Sequence, residues 1–254
     1  ERYALGANAS RPEAGWSFGK TLIAVAVGRA VQLGVWQFDE RSKQALNMQG
    51  KAGFSTENRY FPRFTLADHG QVYGGANNVW HALSSAQKNA EVGYNNGDYL
   101  WLLSQLQAKI QPQPLADWLQ KEVLQPLGLE NFYYTVDAQG QPILTGYTHA
   151  PARDWLKLGQ LLLHNGQWRE QAFLPDGWVD FMTTPAPNYP DQAYGAGVWL
   201  NGQQFYTAPK HVLVMAGAYD QTLIIDRPAQ RLLLRMGHVG DESALAHLNA
   251  ALAQ

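Results

Sequence analysis

The chain has 254 residues, 46% hydrophobic and 16% charged, with a formal net charge of -2. That apolar content and near-neutral balance exclude intrinsic disorder, and the lack of a basic excess excludes an ordinary nucleic-acid binder. The absence of cysteine excludes thiol nucleophiles, disulfides and cysteine-held metals together.

No apolar run reaches the ~18 residues of a spanning helix. The longest, Leu22 to Val35, is interrupted by Gly28, Arg29 and Gln32. The seven histidines form no H-x-x-x-H or H-E-x-x-H pair, so His69, His81, His149 and His164 read as surface or capping residues. Neither a metal site nor a cofactor is expected. Because the chain opens at Glu1 without methionine, a signal peptide, a larger segment or a cloning step is expected to account for its start.

Residues 1–16 are polar and broken by Pro12 and Gly15, as in a loop or the tail of a strand. From Ser17 the apolar residues Leu22, Ile23, Val25, Ala26, Val27, Ala30, Val31 and Leu33 surround a central buried helix, with Gly34 at its C-terminal cap. Residues 39–93, rich in Gly, Asn, Ser and Gln, read as irregular structure with short helices. Helical signals return at 98–110, 115–124, 152–164 and 176–182, with Gly128 and Gly166 just beyond two of the ends. Strands are predicted at 194–200, 211–218, 222–226 and 231–236, the middle pair joined by a tight connection around Tyr219 to Gln221. An amphipathic helix from Asp241 to Leu252 closes the chain. Helices followed by antiparallel strands predict a segregated α+β fold.

The segment Ala14-Gly15-Trp16-Ser17-Phe18-Gly19-Lys20-Thr21 admits three readings. Gly19-Lys20-Thr21 resembles the end of a phosphate-binding loop, but that loop follows a buried strand, and Asn8 to Glu13 make none. Gly15-Trp16-Ser17-Phe18-Gly19 fits a nucleophile elbow, with Asp226 and His238 following as acid and base, and it too needs a preceding strand. The third reading is S-x-x-K at the start of the buried helix. One helical turn puts Lys20 beside Ser17, the helix dipole favours an oxyanion there, and a desolvated lysine loses its proton readily enough to act as a base. Tyr94-Asn95-Asn96, on a loop before the helix capped by Asp98, adds a phenol able to relay a proton and an amide able to hold the substrate's carbonyl or the lysine.

This ordered set resembles the serine β-lactamase and penicillin-binding-protein superfamily, in the class C-like branch with esterases and 6-aminohexanoate-dimer hydrolases. Glu1-Arg2-Tyr3 is similar to the end of that family's second strand, Leu46-Asn47-Met48-Gln49 with Gly53-Phe54 to its L-x-M-x-S-G-x-x-F stretch, and Tyr94-Asn95-Asn96 to its Y-S-N motif. Gln125-Pro126-Leu127-Gly128, Ala152-Arg153-Asp154, and Gly166-Gln167-Trp168 before Leu174-Pro175 match later segments. The resemblance implies one β-lactamase-like catalytic domain over 1–254. Its antiparallel sheet is flanked by helices, with a mostly helical lobe near 39–185 and a sheet lobe from 1–38 and 186–254. It also implies acyl transfer to Ser17, with Lys20 as base, Tyr94 as proton relay and Asn96 as a substrate contact. Export to the periplasm or medium is the implied location.

The chain departs from the pattern in three places. Where the family carries K-T-G or H-x-G it reads Met215-Ala216-Gly217, then Ala218. Gly217 keeps the close approach, and the Ala218 N–H is expected to share an oxyanion hole with that of Ser17. Methionine binds no carboxylate, so a small ester or amide is expected as substrate rather than a β-lactam. The rival H-x-G, His238-Val239-Gly240, falls past the last strand. Gly50-Lys51-Ala52-Gly53 replaces a Ser-Gly pair. Most of the N-terminal helix and strand hairpin implied by the resemblance has no counterpart before Ser17, so the chain is expected either to pair that sheet edge otherwise or to be part of a longer protein. Tyr60, Phe61, Tyr73 and Trp80 either shape the pocket or fill the helical lobe. The non-enzymatic alternative is a binding or sensor protein that keeps the fold.

Overall fold

The computed structural model describes residues 8–50, 93–137, 140–203, 208–237 and 250. Glu1-Arg2-Tyr3, Tyr60, Phe61, Tyr73, Trp80, His238-Val239-Gly240 and, apart from Ala250, the expected closing helix lie outside the described residues.

The centre of the molecule is α1 (Phe18–Gln32), twelve of whose fifteen residues are buried. A helix apolar on every side has to be enclosed by other elements. Here α1 packs against β3 (Pro142–Ala150), α3 (Gly97–Ile110) and β7 (Leu213–Gly217). Each fully buried Leu, Ile or Val on it contributes about 1.5–3 kcal/mol. Gly34 ends the helix with φ +70°, its N–H bonding the Val31 carbonyl while that of Val35 reaches back to Ala30. This is the paired C-terminal closure that a left-handed glycine permits.

Before α1, the two-residue strand β1 (Glu13–Ala14) pairs antiparallel with β3, which also pairs with β2 (Tyr133–Val136). The β2–β3 hairpin lies where the sequence predicts neither strand nor helix. Ile143, Leu144, Thr145 and Thr148 on β3 are buried, and a strand covered on both faces loses the alternation that marks a half-buried one. The segment Asn47 to Gly50 follows α2 (Glu40–Leu46), a short helix of the kind expected within 39–93. Its N-terminus is capped by Asp39, whose Oδ1 accepts the Ser42 N–H at 2.8 Å.

The segment predicted as one helix over 115–124 begins as α4 (Leu115–Leu119) and continues through a π-helical turn (Gln120–Leu124) to Gln125–Leu127. The helices expected at 152–164 and 176–182 appear as α5 (Ala152–Leu163) and α6 (Trp178–Met182). Between them β4 (Gln167–Trp168) and β5 (Gln171–Ala172) form a small hairpin.

The C-terminal sheet runs β6-β7-β8-β9 and is antiparallel throughout, with β6 (Trp199–Leu200), β8 (Gln221–Asp226) and β9 (Arg231–Arg235) beside β7. The strand predicted over 194–200 is confined to Trp199–Leu200, with an isolated bridge from Trp199 to Tyr194, because Gly195 and Gly197 turn the chain between them. All six residues of β8 are buried. Its Leu223 and Ile225 join the main core, while Ile224 packs with Ala208, Val212 and Val214 on the opposite face. Helix α5 covers the main-core face, and a side chain at Gly159 would meet Leu223 at 2.8 Å. No helix among the described residues is long and apolar enough to cross a membrane.

Candidate active site

Ser17 stands at the N-cap of α1, a position at which a serine side chain ordinarily bonds the helix's own free N–H groups. This one makes no such cap. Its Oγ lies 3.2 Å from Lys20 Nζ, one helical turn on, and Nζ also donates to the Thr145 carbonyl at 3.0 Å. Ser17 is only half-buried, whereas Lys20 is 1% exposed. Burial away from water disfavours the ammonium and lowers the Lys20 pKa to about 7.

The lysine reaches β3 because Gly19 lets the two backbones touch. A Cβ on Gly19 would lie 1.6 Å from the Leu144 carbonyl oxygen. The glycine that made Gly19-Lys20-Thr21 look like a phosphate loop is thus a packing residue. Gly15 is held the same way, its missing side chain occupied by the Trp155 ring. The preceding strand β1 is antiparallel to its partner, so the parallel strand-to-helix entry of a nucleophile elbow is absent at Ser17.

Tyr94 completes a three-residue cluster. Lys20 Nζ sits 4.6 Å from its ring centroid, and its hydroxyl interacts with Ser17. Burial raises the Tyr94 pKa, with the contact to Ser17 acting in the other direction, so Tyr94 holds its proton at neutral pH. The residue as a whole keeps 38% of its surface exposed, so the burial that raises the pKa acts at the hydroxyl end. Its ring stacks on Trp199 at 5.3 Å and meets Tyr194 edge-on at 5.7 Å, and Tyr189 stacks on Tyr194 at 5.3 Å. Tyr194 in turn meets the Tyr99 hydroxyl at 3.3 Å, and Tyr99 donates to the Leu46 carbonyl at 2.7 Å.

The loop that presents Tyr94 is fastened by its neighbour. Asn95 Oδ1 accepts the Asp98 N–H at 2.9 Å, its Nδ2 donates to the Gly93 carbonyl at 3.0 Å, and its N–H points to Met48 Sδ at 3.4 Å. Asp98 Oδ2 accepts the Gly50 N–H at 3.0 Å, tying the Leu46–Gly50 segment to the start of α3. Asn96, half-buried beside them, makes no side-chain hydrogen bond to Ser17 or Lys20 among the described residues.

Gly217 borders the nucleophile segment from the end of β7, and a Cβ there would lie 2.3 Å from the Gly15 carbonyl oxygen. Met215, on the same face of the strand, is 1% exposed in the main core and presents no cation. Ala218 follows in the β7–β8 turn. Among the described residues neither the Ser17 N–H nor the Ala218 N–H donates a hydrogen bond.

The structure therefore gathers Ser17, Lys20 and Tyr94 and sets Gly217 against the same segment. Sequence reasoning missed Thr145, which acts through its carbonyl and so carries no side-chain signal. It also missed Tyr189, Tyr194 and Trp199, whose only signal is the density of aromatics just before and within the predicted strand. No cluster of three metal-ligating side chains occurs among the described residues.

The family model described as Beta-lactamase matches residues 14–236. Among solved structures, a candidate 6-aminohexanoate-dimer hydrolase from Bacillus anthracis superposes with a TM-score of 0.76 at 20% identity, covering 98% of this chain and 73% of that one. EstCE1, a hydrolase with promiscuous acyltransferase activity, gives 0.75 at 16% identity, covering 97% and 86%. A penicillin-binding protein from Bacillus halodurans gives 0.70 at 15% identity, covering 96% and 87%. No curated protein matches the chain. With more than half its length matched by the family model and the same fold in these structures, the chain belongs to the Beta-lactamase family, whose members are serine hydrolases acting on esters and amides.

Proposed function

We propose that the protein hydrolyses a small ester or amide through a covalent acyl-Ser17 intermediate. The observation that carries this reading is the 3.2 Å approach of a fully buried Lys20 Nζ to Ser17 Oγ. With its pKa brought down to about 7 by burial, the amine is neutral in a large fraction of molecules at physiological pH and accepts a proton.

In the acylation step Lys20 Nζ takes the Ser17 hydroxyl proton as Oγ attacks the substrate carbonyl carbon. The developing oxyanion is received by the Ser17 and Ala218 N–H groups at the positive end of α1. As the intermediate collapses, the bond to the leaving oxygen or nitrogen breaks and Tyr94 supplies its proton, the phenol then being reprotonated from Lys20. Water attacks the acyl ester through the same groups in reverse, releasing the acid and restoring Ser17. Met215 offers nothing to a carboxylate, which favours uncharged substrates over β-lactams.

The purified protein is expected to hydrolyse short uncharged esters such as p-nitrophenyl acetate above the rate of its Ser17→Ala variant. Equal rates for the two proteins across a panel of esters and amides would overturn the reading.

A further inference from the structure

Two aromatic side chains beside the cluster are not used by the chemistry above. Trp16 precedes Ser17 and Tyr219 follows Ala218, so they flank the two N–H groups assigned to the oxyanion. Their rings meet at 5.3 Å with planes inclined by 51°. Tyr219 is 49% exposed and Trp16 is half-buried, which makes the pair a ledge open to solvent.

Both residues occupy left-handed backbone, Trp16 at φ 50° and Tyr219 at φ 60°. For a bulky side chain that conformation is an outlier, and it costs free energy that glycine would not. Local strain held in place by surrounding structure is a feature of ligand-contacting sites. The surroundings here do hold it. The Tyr219 carbonyl accepts from Arg235 Nη1 at 3.0 Å and from Gln221 Nε2 at 3.1 Å, and Arg235 Nη1 also reaches the Asp220 carbonyl at 3.0 Å. Gln221 Oε1 accepts the Gly237 N–H at 2.9 Å.

We propose that Trp16 and Tyr219 form the acyl-group shelf of the Ser17 site and select substrates whose acyl part is an uncharged chain ending in a flat aromatic ring. This rests on the hydrolase reading. The leaving group departs on the side of Tyr94, which protonates it and is walled by Trp199 and Tyr194. The acyl part, its carbonyl oxygen between the Ser17 and Ala218 N–H groups, extends toward the other aromatic pair. An aromatic ring is the occupant that gains most from two tilted rings. Beside the shelf the exposed Asp220 carboxylate and the Arg235 guanidinium oppose each other in sign, so neither an anion nor a cation is drawn to it and the selection rests on the rings.

The test is kcat/KM for methyl phenylacetate and methyl acetate, which share a leaving group, in the wild type and in Tyr219→Gly and Tyr219→Phe. Glycine suits φ 60°, so Tyr219→Gly is expected to fold, with its melting temperature as the control. The wild type is expected to prefer the phenylacetyl ester, with that preference falling about tenfold in Tyr219→Gly and kept in Tyr219→Phe. Turnover of both esters without an aryl preference, or with a preference that Tyr219→Gly leaves intact, overturns the shelf while the hydrolase stands. Absence of turnover with either ester, and of any acyl-Ser17, overturns the hydrolase reading and the shelf with it.

Discussion

Lys20 Nζ is shared between the Ser17 hydroxyl at 3.2 Å and the Thr145 carbonyl at 3.0 Å, residues 125 positions apart along the chain from the lysine to the carbonyl. One N–H of the amine is thereby committed to β3. In the neutral form its lone pair is left to receive the Ser17 proton. The base is aimed by a strand, through a contact that Gly19 alone makes sterically possible.

The pH dependence of acylation follows from the base. Lys20 is active when deprotonated, and its pKa is about 7. The value of kcat/KM is expected to rise tenfold per pH unit below about 7 and to level off above it. Tyr94, its pKa raised, stays protonated over the same range and adds no descending limb near neutrality. Lys20→Ala is expected to remove the rise and lower the plateau by about 10³-fold, as read from ester hydrolysis across pH 5 to 9.

The same burial carries a stability cost. Between about 7 and 10.5 the unfolded chain binds a Lys20 proton that the folded chain has released, so folding stability from this group increases with pH through that window. Below it the charged amine is buried, at a penalty on the order of 5 kcal/mol, because each pKa unit is worth about 1.4 kcal/mol. Lys20→Met is expected to be inactive yet more stable by about 2 kcal/mol at pH 6, after allowing for an unpaired Thr145 carbonyl. The advantage should shrink toward pH 10, measured by urea unfolding at both pH values.

Removing the phenol separates proton transfer from packing. Tyr94→Phe keeps the ring that stacks on Trp199, so the fold and KM are expected to hold. The value of kcat should fall by about 10²-fold or more, with amides more affected than p-nitrophenyl esters because the nitrogen leaving group needs the proton. Steady-state kinetics on a matched amide and ester pair checks this.

Gly19→Ala tests the contact that aims the base. With the Leu144 carbonyl oxygen 1.6 Å from the new Cβ, α1 and β3 have to separate. A loss of about 3 kcal/mol or more is expected from this overlap in a packed interior, seen as a lower urea midpoint. Gly34→Ala, in open space but at φ +70°, should cost only about 1 kcal/mol.

The fold was most legible where one local rule sufficed. The apolar run of α1, the left-handed cap at Gly34 and the β7–β8–β9 hairpins are written in periodicity and turn residues. The β2–β3 hairpin was not, because the buried positions of β3 give no alternating pattern and its partner Tyr133–Val136 is largely exposed. In the site, Ser17 and Lys20 were readable because they sit one turn apart on one helix. Tyr94 was readable only as part of an ordered set, since no spacing rule links residue 94 to residue 17. Thr145 was unreadable, as any residue supplies a carbonyl. Asn95 and Asn96 were readable as a pair but not in their division of labour, which depends on which side chain turns back to cap α3.

The central claim is that Ser17 is a nucleophile activated by Lys20, and intact-mass measurement after exposure to a fluorophosphonate, followed by peptide mapping, tests it most directly. A single adduct is expected on Ser17, forming faster as the pH rises through about 7, absent in Ser17→Ala and strongly slowed in Lys20→Ala. No adduct at any pH, or an adduct that persists in Ser17→Ala, would contradict the account.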